Sequence, residues 1–390
     1  MEFGYPAEAE AFRAELRAWL AANLDARFRE AGRSRGLASG PERIALLREW
    51  NARLAAAGYA AIHWPREYGG RAAGLIEQVV WVEEMHRAGA PPTVNPIGLA
   101  NIAPALFAHG SEAQKRRFLP RMLRGEDVWC QGFSEPAAGS DLASLRTRAV
   151  RDGDHFVVSG QKTWNSLGEH ADWCQLLVRT DPSAPKHRGI SCLLVDLRSA
   201  GVEVRPITTI TGEREFADLF FREVRAPADA LLGAENDGWR VAMTTLTAER
   251  TGVATLHLGV RDRIRALIDD ARSLGLLGDP RHRERLARLH LEGELLRRLS
   301  ERALSGIVHR REGPEGSLVK LVWSRTEQRV AEVAAEVLGP AALVGPWAHA
   351  RLAARSYSIA GGTTEVNKNI VAERVLGLPR SASDAERRAQ

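Results

Sequence analysis

The chain has 390 residues, 44% of them hydrophobic and 26% charged, which is the balance of a soluble globular protein long enough for two or three folding units. Its net charge of +5 comes from arginines dispersed among acidic residues, with lysine only at 115, 162, 186, 320 and 368, so no basic stripe marks it for nucleic acid. No apolar run nears the roughly 18 residues that span a bilayer, and Met1–Glu10 has no basic region followed by an apolar stretch, so no membrane partner and no secretory leader are expected and the cytosol is the default address.

Residues 1–125 read as an N-terminal helical domain. Ile44, Leu47, Trp50, Leu54 and Ala57 recur every three or four positions, as one face of an amphipathic helix does. Trp64-Pro65 and Tyr68-Gly69-Gly70 punctuate it with loops. From 126 to 235 the pattern turns short and β-like. Asp152-Gly153 between Thr147–Arg151 and His155–Ser159 predicts a hairpin, and Trp173–Arg179, Ile190–Asp196, Val202–Pro206 and Ala217–Val224 predict further strands. No helix-length segment separates these runs, so an antiparallel barrel or sandwich is expected. Residues 236–380 return to longer helices. Asn236-Asp237-Gly238 offers capping chemistry, and Leu286, Leu289, Gly293, Leu296, Leu299 and Ala303 form another stripe, as in a four-helix-type bundle. Ser381–Gln390 is polar and reads as a flexible tail. The expected class is therefore α+β: helices, a central antiparallel β domain, then a helical bundle.

Cys130, Cys174 and Cys192 are few, odd in number and widely spaced, which suits neither a disulfide framework nor a zinc site. His-Glu-x-x-His, Gly-x-Gly-x-x-Gly after a strand and a Walker-type phosphate loop are all missing, so no metal and no dinucleotide fold of the familiar kind is expected. Three other stretches carry chemistry. Gln131–Leu142 gathers Ser134, Glu135, Pro136, Gly139, Ser140 and Asp141, small and hydroxyl-bearing residues that can wrap a polar heterocycle or a pyrophosphate. Ser159–Ser166 sets Trp164 beside Lys162, Asn165 and Ser166, where an indole could stack on a flat cofactor rather than fill a core. Ile359–Val366 places two glycines before two threonines, like a helix start able to hold an anion. Each alone reads equally as a turn, a core strand or a helix cap.

Together, in this order and spacing, Phe133-Ser-Glu-Pro-x-x-Gly-Ser-Asp141, Gly160-x-Lys-x-Trp-x-Ser166 and Ala360-Gly-Gly-Thr-Thr-Glu-Val-Asn-Lys-Asn369 resemble the signature stretches of the acyl-CoA dehydrogenase family. The likeness runs from the N-terminal helices to Leu376-Gly-Leu-Pro379. It implies FAD as cofactor and α,β-dehydrogenation of an acyl-CoA thioester to the trans-2-enoyl-CoA, with electrons passed to an electron-transfer flavoprotein. Phe133 and Ser134 would then face the flavin ring, Trp164 would cover it, and Ser166 would hydrogen-bond to it. Ser140 would lie near the pyrophosphates of FAD and CoA, and Thr363 and Glu365 near the adenosine half of FAD. Arg272 resembles an arginine that reaches the FAD of a neighbouring subunit, which implies a dimer or homotetramer.

The reaction needs a carboxylate to take the α-proton while the β-hydrogen leaves as hydride. Many members carry it just before the Gly-Thr of the last motif, where this chain has Gly361. A second group, similar to the isovaleryl-CoA and long-chain enzymes, carries it in a segment matching Leu246-Thr-Ala-Glu-Arg-Thr-Gly252, which makes Glu249 the expected base and Arg250 a substrate contact. Gly361 keeps its N–H for the thioester oxygen. A base on that helix suits branched or bulky acyl groups. The family's Gln-x-x-Gly-Gly is Glu336-Val-Leu-Gly-Pro340 here, and its Phe-Gly after the arginine is Ser273-Leu-Gly275. Two alternatives stand beside the dehydrogenase: a non-catalytic subunit working with a homologous catalytic one, and a flavin monooxygenase or oxidase on the same fold.

Overall fold

The computed structural model describes residues 4–33, 40–249, 252, 255–309, 313 and 315–379. The chain divides into two compact units, residues 1–250 and 251–390.

In the first unit, helices α1 (Ala7–Asn23), α2 (Ala26–Arg33), α3 (Pro41–Ala56), α4 (Leu75–Ala88), α5 (Ala103–His109) and α6 (Glu112–Arg124) precede the sheet. The α3 stripe folds as its spacing requires, with Leu47, Trp50 and Leu54 buried. Ser111 starts α6 through a capping box: its Oγ accepts from Gln114 N at 3.2 Å, and Ser111 N donates to Gln114 Oε1 at 3.0 Å. Glu84 is buried on α4 and paired with Arg13 and Arg17 of α1 and with Arg87, each at 2.7 Å, which ties the two helices together.

Seven strands follow: β1 (Trp129–Gly132), β2 (Arg148–Asp152), β3 (His155–Ser166), β4 (Trp173–Arg179), β5 (Ile190–Asp196), β6 (Val202–Ile207) and β7 (Phe216–Pro227). The hairpin at Asp152-Gly153 joins β2 to β3, with Gly153 at φ 59°. The β3–β7, β6–β7 and β4–β5 ladders are antiparallel as well. The sheet departs from the antiparallel expectation on both sides of β4: β1 runs parallel to it, Trp129 opposite Trp173, and Arg148 of β2 makes a parallel bridge to its Arg179. The β2–β3 excursion supplies the crossover that a helix usually provides. One sheet face, with Leu177, Cys192 and Leu194, packs on the helices; the other, with Cys174, Leu176, Leu193 and Val195, fills the β core. Helix α7 (Gly238–Glu249) also belongs to this unit and buries Val241 and Ala242 in the helix–sheet core.

The second unit holds α8 (Leu256–Ser273), α9 (Pro280–Val308), α10 (Glu315–Leu338), α11 (Gly345–Ala353) and α12 (Thr364–Arg374). The α9 stripe buries Leu286, Leu289, Leu296 and Ala303 against Ile264 and Leu267 of α8 and Val330, Val333 and Val337 of α10. Trp347 Nε1 donates to Asp270 Oδ2 at 2.7 Å and fastens α11 to α8. The tail expected at 381–390 lies outside the described residues.

Candidate functional site

The first cluster forms where β1 ends. Lys162 of β3 is fully buried, and its Nζ donates to Phe133 O at 3.0 Å and to Glu135 Oε1 at 2.8 Å. Glu135, itself buried, also accepts from the backbone N–H of Arg146 at 2.7 Å and of Thr147 at 2.8 Å. A buried charge is tolerable only when paired and hydrogen-bonded in this way. Burial pushes the Lys162 ammonium down to about 8, although Glu135 pulls the other way. Burial alone would raise Glu135, but Lys162 and the Thr147 N–H hold it below the usual carboxylate range. Thr163 N donates to Ser134 O at 2.9 Å, so β3 grips three consecutive residues, 133 to 135, from one side. Gly132 allows this closeness: a Cβ there would stand 2.7 Å from both Cys174 Sγ and Leu176 Cδ1.

Two residues beyond Lys162, the β3–β7 register slips, with Lys162 opposite Leu219 but Asn165 opposite Ala217. This bulge puts Trp164 at φ 59°, a left-handed conformation unfavourable to a bulky residue, and leaves its indole 59% exposed. Phe216 supports it edge-on at 5.8 Å between ring centroids. Asn165 is buried and bonds Ala217 O through Nδ2 at 2.8 Å, locking the bulge from below. A large flat side chain held outward by a strained backbone is an apolar platform for a planar ligand. Thus the structure brings Phe133, Ser134, Trp164 and Ser166 onto adjoining stretches. The Phe133 ring is only 7% exposed and packs in the core, so its backbone is the more available part. Ser140 sits exposed on the following loop, where Asp141 pairs with Lys186. Gln131 Nε2, two residues before Phe133, is buried with no acceptor among the described residues. An indole platform, serine hydroxyls and a spare donor fit a flavin, whose rings present a flat face and an edge of acceptors.

Glu249 is the last residue of α7; its side chain, and all of Arg250, lie outside the described residues. The helix itself is firmly seated. A Cβ on Gly238 would come within 2.3 Å of Ser191 C, so glycine lets its first turn lie directly on β5.

The remaining candidates belong to the second unit. Gly361 and Gly362 have φ of 64° and 87°, and Thr363 caps α12 through its Oγ1, which accepts from Val366 N at 3.2 Å. Asn367 is buried and clamps this turn, donating to Gly362 O at 2.9 Å and Thr363 O at 3.0 Å. Gly361 and Glu365 are exposed, the latter in the first turn of α12. Arg272 lies in the last turn of α8, exposed and paired with Asp269. Glu336 is not a bare charge: Arg285 meets it at 2.8 Å and Arg329 at 3.5 Å.

Family models match the three parts of the chain in order: acyl-CoA dehydrogenase N-terminal domain over 6–126, middle domain over 130–224 and C-terminal domain over 236–376. The chain belongs to the acyl-CoA dehydrogenase family, whose members are FAD-dependent oxidoreductases. It is 42% identical to acyl-CoA dehydrogenase IpdE1 of Mycobacterium tuberculosis over 383 residues, 96% of this chain and 99% of that one. Two similar solved structures are the Tcur3481-Tcur3483 steroid ACAD, at 34% identity, and the ChsE4-ChsE5 complex from Mycobacterium tuberculosis, at 33%. Each has a TM-score of 0.85 and covers 98% of this chain and 100% of its own.

Proposed function

We propose that the chain oxidises the Cα–Cβ bond of a bulky, ring-bearing acyl-CoA thioester, binding FAD along Phe133, Ser134, Trp164 and Ser166. The observation that carries this reading is Trp164, an indole driven outward by a bulge beside a backbone stretch fixed by the Lys162–Glu135 pair. FAD bound there would supply the hydride acceptor for the β-hydrogen. Glu249 takes the α-proton onto its carboxylate, and the Gly361 N–H donates to the thioester oxygen, where negative charge grows as that proton leaves. Arg250 and Ser140 serve the CoA thioester, and Ser140, Thr363 and Glu365 the cofactor's phosphate and adenosine portions. Two features favour a ring-bearing substrate: the glycine at 361, which leaves room, and similarity to a protein described as a steroid ACAD.

We further propose that the working form is a mixed oligomer with a homologous subunit, in the cytosol, passing electrons to an electron-transfer flavoprotein. The solved relatives named above are pairs of different chains. The second unit exposes Leu291 and Leu295, one turn apart on α9, along with Leu343 and Val344, which suits a covered surface. Arg272 would reach the neighbour's FAD. The test is anaerobic bleaching of the purified yellow protein, alone and with its co-expressed homologue. The panel is butyryl-, isovaleryl- and palmitoyl-CoA and the CoA thioester of a steroid carboxylic acid. Bleaching by the steroid thioester supports the reading; a colourless chain that never bleaches, even in the complex, supports the non-catalytic subunit instead.

A further inference from the structure

Helix α7 presents an unusual face to the sheet. Gly238, Val241, Ala242 and Thr245 make up its buried side. Three of these are small or apolar and give close but non-directional contact. The fourth is polar. Gln175, in the middle of β4, is fully buried, and its Nε2 donates to Thr245 Oγ1 at 3.0 Å. The Thr245 hydroxyl has one hydrogen, with Gln175 Oε1 and Val241 O both at 3.3 Å to receive it. Gln131 lies beside Gln175 in register on β1, yet its buried Nε2 has no acceptor among the described residues. The Gln175 amide thus bonds the helix, and also the Cys192 thiol of β5, rather than Gln131. At the flank, His109 Nε2 and Thr244 Oγ1 lie 2.8 Å apart.

We propose that the buried Gln175–Thr245 pair positions the proton-abstracting carboxylate, by fixing the rotation and axial register of α7 against β4. This rests on the assignment of Glu249 as the base. Thr245 precedes Glu249 by four residues, about one helical turn, so any slip or roll of α7 at Thr245 passes undiminished to Glu249. A face of glycine, valine and alanine has low ridges and resists such a slip weakly, whereas a hydrogen bond is lost within a fraction of an ångström and a few tens of degrees. The leverage is large, since a misplacement of about 1 Å can lower a rate by roughly 10²-fold. Gln175 and Thr245 touch neither substrate nor cofactor on this view; they are positioning residues.

The experiment compares the parent, Thr245→Val, Thr245→Ser, Gln175→Leu with Thr245→Val, and Glu249→Gln in the FAD-loaded assembly. The probe is the thioester that bleaches the parent fastest in the panel above, used with and without deuterium at its α-carbon. Thr245→Val keeps the shape and is expected to slow flavin reduction at least tenfold, to raise the α-deuterium isotope effect, and to leave the apparent thioester Kd within about threefold. Thr245→Ser keeps the hydroxyl and should stay within about threefold of the parent rate. The double variant leaves no amide unpaired, so its melting temperature should recover while its rate does not. Amide exchange over 241–249, which needs no turnover, should quicken at least tenfold in Thr245→Val. A role confined to stability is revealed if the double variant regains the parent rate, if only the bleaching amplitude falls, or if α7 amides exchange as in the parent; any of these overturns the proposal. Parent-like reduction by Glu249→Gln instead removes the base assignment, a separate failure read from a separate variant.

Discussion

Replacing Lys162 with methionine tests the buried pair beneath the cofactor stretch. Methionine nearly matches the lysine stem in volume, so packing changes little, but the cation goes. Glu135 is left with the Arg146 and Thr147 N–H groups alone, and Phe133 O loses its Nζ donor. Breaking a buried ion pair from one side costs about 3–5 kcal/mol, because the surviving charge stays desolvated. For a unit of this size that lowers the melting midpoint by roughly 6–20 °C. Lys162→Met with Glu135→Gln removes both charges and keeps an acceptor for one N–H, so most of the loss should return. Calorimetry of the three proteins at pH 7, with FAD affinity by flavin fluorescence, gives the comparison. FAD affinity should fall in the single variant, since Phe133 and Glu135 lose the Nζ donor and only the Thr163 N–Ser134 O bond still ties this stretch to β3. The sign with pH is also fixed. Lys162 titrates near 8 when folded against an ordinary 10.5, so between those values the unfolded chain binds more protons. The parent should therefore gain stability relative to Lys162→Met as pH rises through that window. A single variant that melts within 2 °C of the parent and holds FAD equally well would refute the reasoning.

Glu249→Gln should retain FAD and slow substrate-driven flavin reduction by about 10²- to 10⁴-fold, read by anaerobic stopped flow; a rate equal to the parent's removes the base. Trp164→Gly should leave the melting temperature unchanged or higher, because glycine accepts φ 59° without strain, while FAD affinity drops; a large loss of stability would make the indole a packing residue instead. Burial raises the Glu84 carboxyl, but hydrogen bonds from Arg17, Arg13 and Arg87 prevail and bring it to about 2. Its contribution is therefore complete above the ordinary carboxylate range and is lost as pH falls from about 4.5 towards 2, so urea midpoints of Glu84→Gln should fall less steeply with acid than those of the parent.

The strands were legible where burial on both faces makes an unbroken apolar run. Trp173–Arg179 and Ile190–Asp196 are β4 and β5 to the residue, because helices cover one side of them and the β core the other. The parallel β1–β4 ladder was not legible, since pairing partners that far apart leave no local mark. Trp164 drew notice through its polar neighbours, but the register slip that exposes it carries no glycine to announce it. Lys162 was the harder residue. Periodicity treats a lysine as solvent-facing, and only the fold reveals that Glu135 waits for it in the sheet interior. Gln175 and Thr245 escaped for the same reason: each is an ordinary polar residue until strand and helix meet.

The parallel ladder sets an order of events during synthesis. Strand β1 has no neighbour in the sheet until β4 exists, and Val128 N waits for Asp172 Oδ2, 44 residues downstream. Phe133 O likewise waits 29 residues for Lys162. At translation speeds of about 5–20 residues per second, the ribosome exposes β1 for several seconds as an unpaired apolar edge. The N-terminal helices, whose contacts are more local, can gather before that edge is closed. A nascent chain halted between β1 and β4 would thus carry a formed helical layer and an open strand, the state in which a chaperone or a neighbouring chain has most to bind.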